Sequence, residues 1–381
     1  MTIQKSTEAA GSAPTASASR LFHPLCGADP LTLARLILRH GVGPRSAVPL
    51  SIALAVSLLK APASLAEHAV VAARRRGAGM REAPVFILGH WRSGTTHLYN
   101  VMSKAPHWGF VSPFATALPW DFLLTGRLLR PLLTRALPAH RFIDNIPVRP
   151  DSPQEDEIGL ANMTLLSFYH ALYFPKAFAE IFNAGVFFDG VAPAAIESWT
   201  RRLRYYYDKL QIGSSGARLL IKNPVYTARI ALLRRIWPDA KFIHIHRNPY
   251  QVFISMRNFY KSLFAEFALE RYDHIDIDAV ILDTYMRMME RFARDAVDIP
   301  TGHFVELRYE ELQNTPEAAL ARIYDALGLP GFEAAKGAFS RYLGSVEGYQ
   351  KNSYVYPSEA RERVGERLKP FIERWSYAPP A

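Results

Sequence analysis

An intramolecular disulfide is closed to this chain, because its 381 residues include one cysteine, Cys26. No intramolecular cross-link can form. That excludes a small secreted fold held by disulfides and points to a reducing, cytoplasmic compartment. Long apolar runs are scarce as well. The longest, Ala47 to Leu59, has 13 residues and is interrupted by Pro49, Ser51 and Ser57, against the roughly 20 that a spanning helix needs. It reads as a helix packed on the fold or, alternatively, as an interfacial helix assisted by Arg74, Arg75 and Arg76 at a membrane surface. No secretory pattern stands at the start; residues 2–19 are mostly Ser, Ala, Thr and Gly, so 1–20 reads as a disordered tail. No repeat of fixed period is present. Positive charge, by contrast, is plentiful: 45 Lys and Arg against 35 Asp and Glu give a formal net charge of +10. Such a balance suits an anionic ligand, nucleic acid or an anionic membrane surface. No motif for reading nucleic acid accompanies it.

Residues 21–82 form an Ala/Leu/Arg-rich helical extension with expected breaks at Pro49 and Pro62. The pattern then changes, and 83–381 reads as one α/β domain. Short apolar runs at Pro84–Leu88, Arg218–Ile221, Lys241–His246 and His303–Leu307 are expected as buried parallel strands. Helices are expected from about Ser93, over Thr227–Trp237, from Pro249, and over Pro316–Leu327 with Gly328 as the stop. Strands alternating with helices predict a central, mostly parallel sheet covered on both faces, with ligands at the carboxyl ends of the strands.

After the first strand comes Gly89-His-Trp-Arg92-Ser93-Gly94-Thr95-Thr96. The two glycines match the frame of a phosphate-binding loop, in which backbone N–H groups and a helix N-terminus meet an anion. Two features of a nucleotide hydrolase are missing. Thr95 stands where such a loop has lysine, and the third strand runs into Arg247 rather than an aspartate for magnesium. The cation comes earlier, at Arg92. Arg247 follows the third strand, and Ser255 lies eight residues on, in the next helix. A guanidinium and a hydroxyl so placed clamp a phosphate monoester well.

Together these segments resemble the sulfotransferase family, whose donor is 3'-phosphoadenosine-5'-phosphosulfate (PAPS). The nearest resemblance is to bacterial members grouped loosely with tyrosylprotein sulfotransferases, and it covers roughly residues 84–355. Other matching segments are Pro153-Gln-Glu-Asp-Glu157, Leu220-Ile-Lys222-Asn-Pro224 and Arg308-Tyr309-Glu-Glu-Leu312. The resemblance implies a P-loop-like three-layer αβα fold. It implies that Arg92, Ser93, Gly94, Thr95 and Thr96 hold the 5'-phosphosulfate, that Arg247 and Ser255 hold the 3'-phosphate, that Tyr309 contacts the adenosine, and that Lys351, in the loop 348–352, closes over the 3'-phosphate. Lys222 would then donate to the leaving phosphate oxygen, with Arg92 as a second cation.

An acceptor hydroxyl or amine also needs a base. The stretch Trp108–Pro113, where tyrosylprotein sulfotransferases carry a glutamate, has no carboxylate here. The candidates are Glu155, Asp156 and Glu157. A capping box from Ser152, Pro153 and Glu155 would occupy Glu155 and leave Asp156 or Glu157 for chemistry; His90 and His170 stand behind them. His244 and His246 share a strand face but have no third ligand nearby in sequence, so no metal site is expected. Aromatics at Phe168–Phe182 and Tyr205–Tyr207 read as core, with some available to line an apolar acceptor pocket. Such a pocket would suit a lipid or another hydrophobic small molecule, with peripheral membrane contact. The alternatives are a non-catalytic basic anion- or membrane-binding protein and a P-loop kinase.

Overall fold

The computed structural model describes residues 23–76, 82–136, 149–346, 356 and 358–380. The tail 1–20 and the whole loop 348–352, with Lys351, lie outside the described residues.

Five strands, β1 (Val85–Leu88), β2 (Trp108–Gly109), β3 (Arg218–Lys222), β4 (Lys241–His246) and β5 (Phe304–Arg308), form one sheet in the order β2-β3-β1-β4-β5. Every pairing is parallel. β1 is buried throughout, and β3 and β4 are buried after their first residue; such strands need apolar side chains on both faces. Successive residues supply two different cores. Phe86, Leu88, Leu219, Ile221 and Phe242 pack on one side, and Val85, Ile87, Leu220, Ile243 and Ile245 on the other. This alternation makes the expected three layers. β2, two residues at the sheet edge, carries no periodic signal that sequence could reveal.

In chain order the first helices are α1 (Pro30–His40), α2 (Ala47–Arg76), α3 (Thr95–Met102), α4 (Pro113–Ala117), α5 (Thr125–Leu128), α6 (Arg130–Ala136) and α7 (Asp156–Leu160). Two expectations change. Pro49 and Pro62 do not break α2: Pro49 lies in its first turn, where no N–H is needed, and Pro62 sits on the exposed face with the helix continuing past it. The helix expected over Thr227–Trp237 is instead a 3₁₀ turn, Pro224–Ala228, followed by a short α-helix, Ile230–Ile236. Asn223 Oδ1 starts that turn by accepting the Val225 N–H at 3.0 Å.

Candidate functional site

β1 is the central strand, and the loop leaving it meets the loops leaving β3 and β4. Register fixes this: Ile87 lies opposite both Lys222 and Ile243, so all three strands end at one edge. Gly89 turns there with φ 141°. A Cβ on it would collide with the Ile245 carbonyl oxygen, so only glycine lets the loop pass β4 this closely. Its N–H donates to Thr227 Oγ1 at 2.8 Å. Thr227, fully buried, holds the root of the loop. Sequence reading passed it over because its role arises from the 3₁₀ turn.

At the head of α3, Gly94 takes φ 100° and, among the described residues, no side chain caps the helix. The first-turn N–H groups therefore face the strand edge with the helix dipole behind them, a geometry suited to an oxyanion. Ser93 and Thr95 are buried, and Ser93 Oγ has no partner among the described residues. Arg92 adopts φ 69°, a conformation costing a non-glycine residue about 1–3 kcal/mol. That strained turn carries its guanidinium to β4's side, where Nε donates to Ser255 Oγ at 2.9 Å. Arg247 Nη1 donates to the Arg92 carbonyl oxygen at 3.5 Å, and the Arg247 guanidinium lies 4.8 Å from the centre of the Tyr309 ring. A Cβ on Gly94 would collide with Tyr309 Cδ2, so that ring lies directly on the loop. Arg92, Gly94, Arg247, Ser255 and Tyr309, spread over 218 positions of chain, thus make one cluster. Residues of this kind match the parts of a phosphorylated nucleotide: guanidinia and hydroxyls for phosphates, an aromatic ring for a base or ribose.

Lys222 ends β3, nearly buried, and pairs with Glu155 Oε1. The capping box does not form. Ser152 Oγ accepts the Arg149 N–H at 2.9 Å, and Glu155 precedes α7 in an extended conformation without capping it. The expected division of the carboxylates is reversed as a result. Asp156 and Glu157 are both fully buried. Asn223 Nδ2 donates to Asp156 Oδ1 and Glu157 Oε2, each at 2.9 Å, and the hydroxyls of Tyr207 and Tyr226 donate to Asp156 Oδ2. Burial pushes the Asp156 carboxyl up to about 7 against the pull of those hydroxyls, and raises Glu157 too. Glu157 is fully buried, and Glu155, whose side chain is 12% exposed, is the carboxylate nearest the edge. Asn223 is the residue through which Lys222's strand is tied to this buried pair.

His90 and His170 are buried as well. Each donates to a backbone carbonyl, of Trp91 at 2.9 Å and of Ala161 at 2.7 Å, and desolvation lowers both to about 4. His244 meets Glu306 at 2.8 Å, while His246 stacks on Trp375 with ring centres 4.4 Å apart. The aromatics of Phe168–Phe182 and Tyr205–Tyr207 are buried, and Tyr207 also lines a cavity with Arg204, Leu219 and Trp237. Among the described residues, no group of three or more His, Cys, Asp or Glu is arranged to hold a metal ion.

The model of the sulfotransferase family matches residues 84–334. Two curated relatives, the omega-hydroxy-beta-dihydromenaquinone-9 sulfotransferases Stf3 of Mycobacterium tuberculosis and Mycobacterium bovis, are 33% identical over 298 residues, 78% of this chain and 76% of theirs. Among solved structures, sulfotransferase STF9 of Mycobacterium avium superposes with a TM-score of 0.66 at 17% identity, covering 91% of this chain and 96% of that one. Sulfotransferase STF1 of Mycobacterium tuberculosis gives 0.60 at 17% identity, covering 93% of each. At that identity these two likenesses speak to the fold.

Proposed function

This chain belongs to the sulfotransferase family, and from that premise we propose that its sulfuryl donor is PAPS and its acceptor the hydroxyl of a hydrophobic alcohol. The donor reading is carried by one observation, the contact of Arg92 with Ser255 and Arg247 across the ends of β1 and β4. In it, the loop Arg92–Thr96 and the uncapped start of α3 hold the 5'-phosphosulfate, while Arg247 and Ser255 hold the 3'-phosphate. Tyr309, lying between Gly94 and Arg247, packs against the adenosine. Lys351 is assigned to the 3'-phosphate by resemblance alone.

Bound there, the donor supplies a sulfuryl group whose bond to the phosphate oxygen breaks as the acceptor oxygen bonds to sulfur. Lys222 neutralises charge on the leaving phosphate oxygen. Glu155, at the same edge, takes the acceptor's proton. In the present geometry the two side chains neutralise each other. Lys222 therefore has to turn from Glu155 to the donor, and in doing so releases the carboxylate to act as base. The acceptor named for the Stf3 relatives, a hydroxylated dihydromenaquinone, supports the hydrophobic alcohol. The single Cys26 fits a cytoplasmic seat.

Calorimetry with 3'-phosphoadenosine 5'-phosphate against magnesium–ATP tests the donor. Binding of the former and not the latter is expected; the reverse makes the site a kinase's. Labelled donor with lipid, phenol, glycan and peptide acceptors tests the rest. Sulfation of peptides alone would end the hydrophobic-alcohol reading.

A further inference from the structure

Helix α2 is built inside out. Its buried positions Leu50, Ala53, Ser57, Glu67 and Val71 fall on a single stripe, and the two charged residues between Ala47 and Ala73 both turn toward the protein. Glu67 Oε1 lies 2.6 Å from Lys209 Nζ with both side chains fully buried, and Lys60 Nζ lies 3.7 Å from Asp121 Oδ1. The outer face carries Leu54, Leu58, Leu59, Pro62 and Leu65, with Leu59 82% and Leu65 73% exposed. A helix facing water turns its charges outward; the opposite arrangement suits apolar surroundings.

The neighbours extend this face. The Leu124 N–H donates to Glu67 Oε2 at 2.8 Å, which docks the start of α5 on α2. α5 and α6 expose Leu128 (78%) and Leu132 (62%). Ser57 Oγ donates to the Ala28 carbonyl at 2.8 Å just before α1, which exposes Leu31 and Leu38. Among the described residues, every exposed large hydrophobic except Tyr272 and Val297 lies between Leu31 and Leu132. Exposed charge along these helices has one sign. Arg35, Arg45, Arg74, Arg127 and Arg130 are exposed, whereas the only acids within Pro30–Arg76 and Pro113–Ala136, Glu67 and Asp121, are fully buried.

We propose that this face seats in the interface of an anionic lipid bilayer, with α2 lying flat along it. The helix, 30 residues and about 45 Å long, presents leucines to the acyl boundary while the arginines meet lipid phosphates. A second copy of the chain fits less well, since two-fold pairing would set arginines against arginines. Spanning fits less well too: withdrawing α2 into the bilayer would strand Lys209 and Asp121 in the core and carry Lys60 and Glu67 into lipid. This inference is independent of the donor and acceptor readings.

Flotation of the full chain with phosphatidylcholine vesicles, with and without phosphatidylglycerol, tests it. The chain should float with the phosphatidylglycerol vesicles. The triple substitution Leu58→Glu, Leu59→Glu and Leu65→Glu should float at least about tenfold less with an unchanged circular-dichroism melt. If the triple variant does not fold, Leu59→Cys carrying an environment-sensitive fluorophore replaces it, and its emission should rise on the same vesicles. Four results would overturn the proposal. They are absence of flotation by the unaltered chain, equal flotation or unchanged label emission, resistance of the bound chain to alkaline carbonate, and a lipid-free dimer that the triple variant dissociates.

Discussion

The two sides of the strand edge handle their cations differently. Beside β4, Arg92 and Arg247 meet a hydroxyl, a main-chain carbonyl and an aromatic ring. Beside β3, Lys222 meets the carboxylate of Glu155, with two further carboxylates buried behind it. Guanidinia gathered beside a helix N-terminus draw an incoming anion, which suits binding. An ammonium balanced by a carboxylate is a pair that can be separated, which suits proton transfer and charge compensation during reaction. On the proposed reading, the same edge divides into a side for holding and a side for transferring.

Lys222→Ala tests that division most severely. It should lower kcat by about a thousandfold while the affinity for 3'-phosphoadenosine 5'-phosphate changes little. Equal losses in both would erase the division. Next, Arg247→Ala should weaken that nucleotide by about a hundredfold, with a much smaller loss for the analogue without the 3'-phosphate, as calorimetry reads directly. A Cβ at position 94 strikes Tyr309, so Gly94→Ala should cost about tenfold in nucleotide affinity. The loss should be less than additive when Tyr309→Ala is combined with it, and an additive cycle would separate the ring from the loop.

The last probe is Asp156→Asn, expected to leave nucleotide affinity unchanged, to lower stability at every pH by turning an amide NH2 against one of the donors that Asp156 accepts, and to alter how stability depends on pH. With its folded value raised from 3.8 to about 7 by burial, the folded protein keeps a proton that the unfolded chain releases. This contribution is complete at pH below the unfolded value and is lost as pH rises toward the folded one. His23, His90 and His170, lowered by burial to about 4, slope the other way, losing stability as pH falls from 6.5. Urea unfolding of both proteins across pH 4 to 7 isolates the Asp156 component as their difference. Parallel curves would mean that this carboxyl is ionised throughout the range.

Much of the holding side was legible in the sequence. Arg92–Thr96 and Arg247 with Ser255 each sit on a strand-to-helix turn, so local spacing places them. The transferring side was less so. Ser152, Pro153 and Glu155 satisfy the letter of a helix cap, yet Glu155 goes to Lys222, 67 positions away. A nearby cation outweighed a local hydrogen bond, and no local pattern encodes that choice. α2 teaches the same lesson. Its prolines suggested breaks, and its composition left a packed and an interfacial helix both open, because sequence does not reveal which side of an apolar helix the neighbours cover.

By itself, the sequence determined the alternation of strands and helices, the parallel sheet, the phosphate-type loop and the arginine–serine pair, since each follows from periodicity or from residues within one turn. Tertiary structure alone decided which of three adjacent carboxylates stays at the edge, that Thr227 and Asn223 brace the loop and the lysine strand, and that leucines face outward along α2. Those outcomes turn on partners distant in the chain, and the free energy of burying or exposing a side chain is set where the chain folds back on itself.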